Sequence, residues 1–132
     1  MHIPDKISKW IGAKNWTLHD HQIRMFKSSE CSAQLLIAPT GSGKTLAGFL
    51  PTLADLYLEP SQKLHTLYIS PLKALASDIK RNLETPIKEL ELKITVEDRT
   101  GDTKQSIKKK QRVIPPNILL TTPESLALLM SY

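Results

Sequence analysis

The chain has 132 residues, 40% of them hydrophobic and 23% charged, which describes one ordinary folded domain with a modest core. No apolar run approaches the roughly 18 residues of a membrane span, and Met1-His2-Ile3-Pro4-Asp5-Lys6 lacks the apolar core of a secretory signal, so a cytoplasmic protein is expected. Cys31, the single cysteine, excludes an internal disulfide and a cysteine metal cluster, while the net charge of +5 suits a polyanionic partner without requiring one.

In chain order, Asp5 is placed to cap a short helix carrying Ile7, Trp10 and Ile11 on one face and ending near Gly12. Thr17 is expected to start a second helix, with Asp20 in a capping-box position. Leu18, Gln22, Met25 and Phe26 recur at helical spacing, which puts the Gln22 amide on the inward, apolar face. A buried amide needs a partner. A nearby backbone group is one; the edge of an adenine base is another, because a phosphate-binding pattern begins some sixteen residues downstream, at Ala38.

The apolar run Leu35-Leu36-Ile37 reads as a buried strand that delivers the chain into Ala38-Pro39-Thr40-Gly41-Ser42-Gly43-Lys44-Thr45. Strand, glycine-containing turn and helix start coincide here, which is the phosphate-binding loop arrangement. Gly41 and Gly43 let backbone N–H groups curl toward phosphate oxygens, and the helix start adds its partial positive charge. In that arrangement Lys44 reaches the β- and γ-phosphates of ATP and the Thr45 hydroxyl holds Mg²⁺. Pro39, Thr40 and Ser42 complete the cradle. Ala38 stands where the general pattern has a first glycine, a position that needs only a small residue.

Leu46, Phe49, Leu50, Leu53 and Leu56 then form an amphipathic helix interrupted by Pro51. Leu64 to Ser70 is expected as a strand, and Pro71 in the first turn of a helix whose Leu72, Leu75, Ile79 and Leu83 face the core. Ile94 and Val96 alternate in a short strand leading to Arg99-Thr100-Gly101-Asp102. After a basic stretch and Pro115-Pro116, Ile118-Leu119-Leu120 is expected as a strand. Thr122 then caps a final helix with Pro123 at its first position. Strands alternating with helices predict an α/β fold with a parallel sheet flanked by helices.

Lys104, Lys108, Lys109, Lys110 and Arg112 supply five positive charges with no intervening acid. Electrostatic attraction of nucleic acid is one use of such a run, and a solvated helix face is the preferred reading. Aromatic residues for base stacking are absent there. His2, His19, His21 and His65 show no metal-ligand spacing.

With these residues in place, the chain resembles the superfamily 2 helicases, and within them the DExH-box Lhr-type (large helicase-related) proteins, nearest to the ligase-associated branch. Trp16 through Gln22 looks like the adenine-reading Q motif, and Ala38 to Thr45 is similar to motif I. Ser70-Pro71-Leu72-Lys73-Ala74-Leu75 resembles motif Ia, while Arg99-Thr100-Gly101-Asp102 and Thr121-Thr122-Pro123-Glu124 resemble the next two DNA-contacting motifs. The resemblance implies a partial RecA-like P-loop NTPase domain over residues 1–132. Within it, residues 1–34 form the Q-motif helices and 35–132 the P-loop core, and the stretch stops short of motif II. It implies ATP hydrolysis coupled to movement along single-stranded DNA and unwinding, with a DNA ligase or nuclease repair system as associates. Hydroxyls of Ser70, Thr100, Thr121 and Thr122, and amides at the helix starts near Pro71 and Pro123, suit backbone phosphates; for each, simple capping is the alternative.

Hydrolysis needs an acidic pair after an apolar strand, and none occurs in these residues, so the 132-residue chain is expected not to hydrolyse ATP by itself. Other readings are an RNA helicase of the same superfamily, a small P-loop kinase, and a non-catalytic nucleotide- or nucleic-acid-binding module. A kinase usually has its loop at the first strand, with no glutamine-bearing helices ahead of it. The backbone-directed motifs do not separate DNA from RNA.

Overall fold

The structure is a computed structural model that describes residues 3–27, 33–37 and 44–131, with Lys44 described in its backbone alone. It divides into two compact units, residues 1–59 and 60–132.

The first unit is helical: α1 (Asp5–Ala13), α2 (Asp20–Lys27) and α3 (Lys44–Leu58). The sequence predicts Asp5 as a cap, but Pro4 is the N-cap and Asp5 the first helical residue, where its charge favours the helix's positive end. The end of α1 is closed by Asn15 at φ 58°, with Asn15 N–H donating to Gly12 O and Trp16 N–H to Ile11 O. That is a Schellman closure, and its usual apolar contact is the edge-on pair of Trp10 and Trp16, 5.4 Å between ring centroids. Helix α2 starts at Asp20 rather than Thr17. His19 takes the capping place because Gln22, three residues on, accepts its backbone N–H at 2.7 Å. Helix α2 packs on α3, with Phe26 buried on α2 and Ala47, Leu50, Leu53 and Ala54 buried on α3.

The expected strand at Leu35-Leu36-Ile37 is a correction. Residues 33–37 have no regular structure, and Leu35 and Ile37 are each 85% exposed. An apolar run becomes a strand only where a neighbour completes its hydrogen-bond ladder, and among the described residues none pairs with it.

The second unit alternates β1 (Thr66–Ile69), α4 (Lys73–Glu89), β2 (Val96–Arg99), α5 (Gln105–Val113), β3 (Ile118–Thr121) and α6 (Pro123–Met130). The sheet is parallel throughout, in the order β1-β3-β2. Ile118 lies level with Thr66 and Val96, and Thr121 with Ile69 and Arg99, so the three carboxyl ends finish flush. The central strand is buried at every position, as a parallel strand covered on both faces must be. Helix α4 covers β2 and β3 through Ala76, Ile79 and Leu83. Leu72 and Leu75, expected on the same stripe, are 59% and 42% exposed. For Leu72 the reason is that α4 begins later than expected, so that it is the extended N-cap and Pro71 lies outside the helix; Leu75 is helical but falls beside the buried stripe of Ala76, Ile79 and Leu83. At the amino ends of the strands, buried Asn117 donates to Ser61 O and Lys63 O at 2.8 and 2.9 Å and accepts from Thr95 N–H at 3.0 Å.

Candidate nucleotide and nucleic-acid sites

In the first unit, Trp16 and Gln22 line one hollow of about 470 Å³ with Ile11, Asn15, Leu18 and Leu46. The Asn15 closure sets Trp16 at its mouth, 52% exposed, while Gln22 is buried and its side-chain oxygen already holds the His19 N–H. A flat apolar wall beside an amide suits a planar heteroaromatic ring. Helix α3 begins with Lys44 and Thr45 and has no acid in its first turn, so no carboxylate competes with an anion at its positive end. The Thr45 side chain is exposed. Pro39, Thr40, Gly41, Ser42 and Gly43 lie outside the described residues.

In the second unit, the loops after β1, β2 and β3 open at the same edge, because the strands are parallel and in register. The three sequence-predicted nucleic-acid motifs sit on these loops, and they meet around a hollow of about 620 Å³ lined by Pro71, Leu72, Lys73, Gly101, Thr122 and Glu124, among others. Lys73 crosses from the first loop to the second: its Nζ is 3.3 Å from Asp102 Oδ1 and lies over Gly101, 3.5 Å from where a Cβ would stand.

The predicted residues divide into those that face this hollow and those that hold its walls. Ser70, Thr100, Thr121 and Thr122 are buried, and their hydroxyls are engaged within the protein. Thr121 Oγ1 donates to Arg99 O at 2.7 Å, tying the ends of β2 and β3. Ser70 Oγ donates to Leu72 O at 3.2 Å, and Thr100 Oγ1 accepts the Asp102 N–H at 3.2 Å. Thr122, the N-cap of α6, is hydrogen-bonded to the Ser125 hydroxyl at 3.2 Å, with Pro123 at the first helical position. Arg99 is 4% exposed, and its guanidinium donates to Lys108 O at 3.2 Å and approaches Gln111 Oε1 at 3.5 Å. Pro71, Leu72, Lys73, Gly101 and Pro123 are exposed.

Glu124 lies at the start of α6. Its carboxyl is held below its ordinary value by its own backbone N–H, by the Thr122 hydroxyl and by the positive charge of Lys73, against an opposing desolvation effect. Gln111 and Asn117 carry much of the polar wiring and are missed by sequence reasoning, because a lone amide among lysines or after a proline pair gives no periodic signal. Among the described residues, no helix is long and apolar enough to cross a membrane, and no group of three or more metal-ligating side chains occurs.

The parallel sheet flanked by helices is the α/β architecture of a helicase domain, and the chain belongs to the DEAD/DEAH box helicase family, whose model matches residues 19–131. It is 47% identical to the Lhr helicase/probable uracil glycosylase of Mycolicibacterium smegmatis, across 78% of this chain and 8% of the relative. It is 37% identical to ATP-dependent helicase Lhr-Core protein 2 of Thermococcus barophilus, across 98% of this chain and 17% of the relative. The solved structure of Mycobacterium smegmatis helicase Lhr bound to ssDNA and AMP-PNP superposes with a TM-score of 0.91 at 38% identity, over 98% of this chain and 18% of that one. The chain thus spans less than a fifth of the length of each of these relatives.

Proposed function

We propose that this chain is part of the first RecA-like ATP-binding domain of an ATP-dependent DNA helicase, in which ATP hydrolysis drives movement along single-stranded DNA with unwinding. The observation that carries the reading is the meeting of three strand-end loops around one hollow, with exposed Lys73 and Gly101 at its wall. Ligands of parallel α/β sheets bind at that edge. Phosphate contacts there come from Lys73 and from backbone amides at the starts of α4 and α6, while Ser70, Arg99, Thr100, Thr121 and Thr122 fix the loops from inside. Contacts of this kind grip a strand without reading its bases. The relative's complex with ssDNA favours DNA as the strand.

On the nucleotide side, residues 1–34 carry the adenine-reading helices and 35–132 the phosphate-binding core. Trp16 and Gln22 receive the base; Pro39 to Gly43 cradle the phosphates; Lys44 reaches the β- and γ-phosphates and Thr45 the Mg²⁺. Bound Mg²⁺ supplies charge neutralisation on the phosphate oxygens. The acid-free first turn of α3 fits that anionic load. A DNA ligase or repair nuclease is the associate that the ligase-associated likeness implies, and the cytoplasm the compartment.

The test is ATP hydrolysis by the full-length protein with and without single-stranded DNA or RNA. DNA should stimulate it, and Lys44→Ala should lower the stimulated rate by about 100-fold or more while DNA binding persists. Stimulation by RNA alone would overturn the DNA assignment, and an unchanged Lys44→Ala rate the nucleotide assignment.

A further inference from the structure

Helix α5 carries Lys104 at its N-cap and Lys108, Lys109 and Lys110 along its length. Among the described residues none of the four joins an ion pair. Lys104, Lys109 and Lys110 are exposed and Lys108 is half-buried. Packing does not require their charges. The helix is anchored by Gln111, whose amide donates to Glu97 Oε1 and Asp98 O, both at 3.1 Å, and by Arg99 on the Lys108 carbonyl.

Helix electrostatics accounts for only part of the run. Cations favour the last turn, where Lys110 and Arg112 sit. Lys104 is at the opposite end, where the helix's own positive pole opposes it and the first turn offers no acid. A groove of about 730 Å³ runs between α4 and α5, lined by Lys73, Lys80, Lys104 and Lys110. Its carboxylates are engaged: Asp102 with Lys73 at 3.3 Å, Asp98 with Lys80 at 4.0 Å, and Glu97 with Gln111. Gln111 is neutral, so Glu97 keeps its charge, and the four lysines against three carboxylates leave the groove net positive, with Lys104 and Lys110 in no ion pair among the described residues. Lys73 also lines the hollow at the strand-end loops, so the two depressions share a side chain.

We propose that the α5 lysines and this groove form a second phosphate-backbone site, which holds single-stranded nucleic acid continuing past the three strand-end loops. The inference rests on the nucleic-acid reading of those loops. Lysine ammonium groups are point charges that match phosphates without geometric selectivity, and no aromatic side chain lines the groove, so the site grips the backbone and does not stack bases. Continuity with the first hollow favours a nucleic-acid strand over an acidic protein segment.

The full-length protein carries the test, by fluorescence anisotropy with two single-stranded DNA oligonucleotides. One is just long enough for the three loops; the other extends beyond them. The double variant Lys104→Ala, Lys110→Ala should bind the short strand as wild type does. It should bind the long strand about 5-fold more weakly, with a salt slope shallower by about 1. The matching Lys→Arg double variant should bind both strands as wild type does, which separates lost charge from lost folding. Equal loss on both strands, or no loss on the long one, overturns the proposal. Loss of a polyglutamate probe with DNA binding unchanged overturns it in favour of an acidic protein partner. A wild-type protein that binds neither strand overturns this inference and the nucleic-acid reading together.

Discussion

Glu91 closes α4 in a conformation that its side chain disfavours. Its φ is 54°, its N–H donates to Lys88 O and the Leu92 N–H to Ile87 O, the same Schellman closure that Asn15 makes on α1. Asparagine tolerates the left-handed region through its short polar side chain; glutamate pays the full Cβ penalty there. Glu91 is exposed, so Glu91→Gly removes the strain without opening a cavity and should stabilise the protein by about 1 kcal/mol, read as a higher urea midpoint. At Glu124 the sign of the pH effect follows from the lowered pKa. A carboxylate favoured in the folded state contributes stability above its unfolded pKa and loses it as pH falls through the lower folded value. The wild-type advantage over Glu124→Gln in urea unfolding should therefore be present at neutral pH and vanish in acid. An advantage that persists below both values would mean the glutamate acts through packing.

Asn117 shows how the strands are held as a set. It links Thr95, ahead of β2, to Ser61 and Lys63, ahead of β1, while its own carbonyl accepts the His65 and Thr66 N–H groups at 2.8 and 2.9 Å. Asn117→Ala would remove hydrogen bonds to half-buried Ser61 and to exposed Lys63 and Thr95, and should cost about 1–2 kcal/mol in denaturant unfolding; no measurable cost would show that water replaces the amide. This junction is invisible in the sequence because its partners lie up to 56 residues away. Ile118-Leu119-Leu120 and Leu67-Tyr68-Ile69 are legible as strands, since short apolar runs bounded by prolines and polar residues have few other fates. Leu35-Leu36-Ile37 has the same composition and a different outcome, because a ladder partner is not encoded in the run itself. The helix starts expected at Thr17 and Pro71 are misplaced for a related reason. His19 and Leu72 take the capping places without a conventional capping side chain, His19 through Gln22 and Leu72 through its extended backbone. Of the candidate sites, the motif positions are readable. The division between groups facing the hollow and groups bracing it from within is not, since Arg99 and Thr121 look equally fit for either role until burial is known.

At the scale of the molecule, each unit carries one candidate site: the Trp16–Gln22 hollow on the first, and the strand-end edge with its neighbouring lysine groove on the second. The strand order of the second unit has a consequence for how the chain is made. The middle strand of the sheet, β3, is the last of the three in sequence, and neither flanking strand touches the other. A ribosome that releases β1 must still add about 50 residues before β3 can emerge, on the order of 3–10 s of elongation. Until then β1, and β2 once it has been added, lack the strand that joins them, and their amides are hydrogen-bonded to water. Synonymous codons that slow translation between residues 70 and 117 should therefore lower soluble yield without altering a single contact in the finished protein.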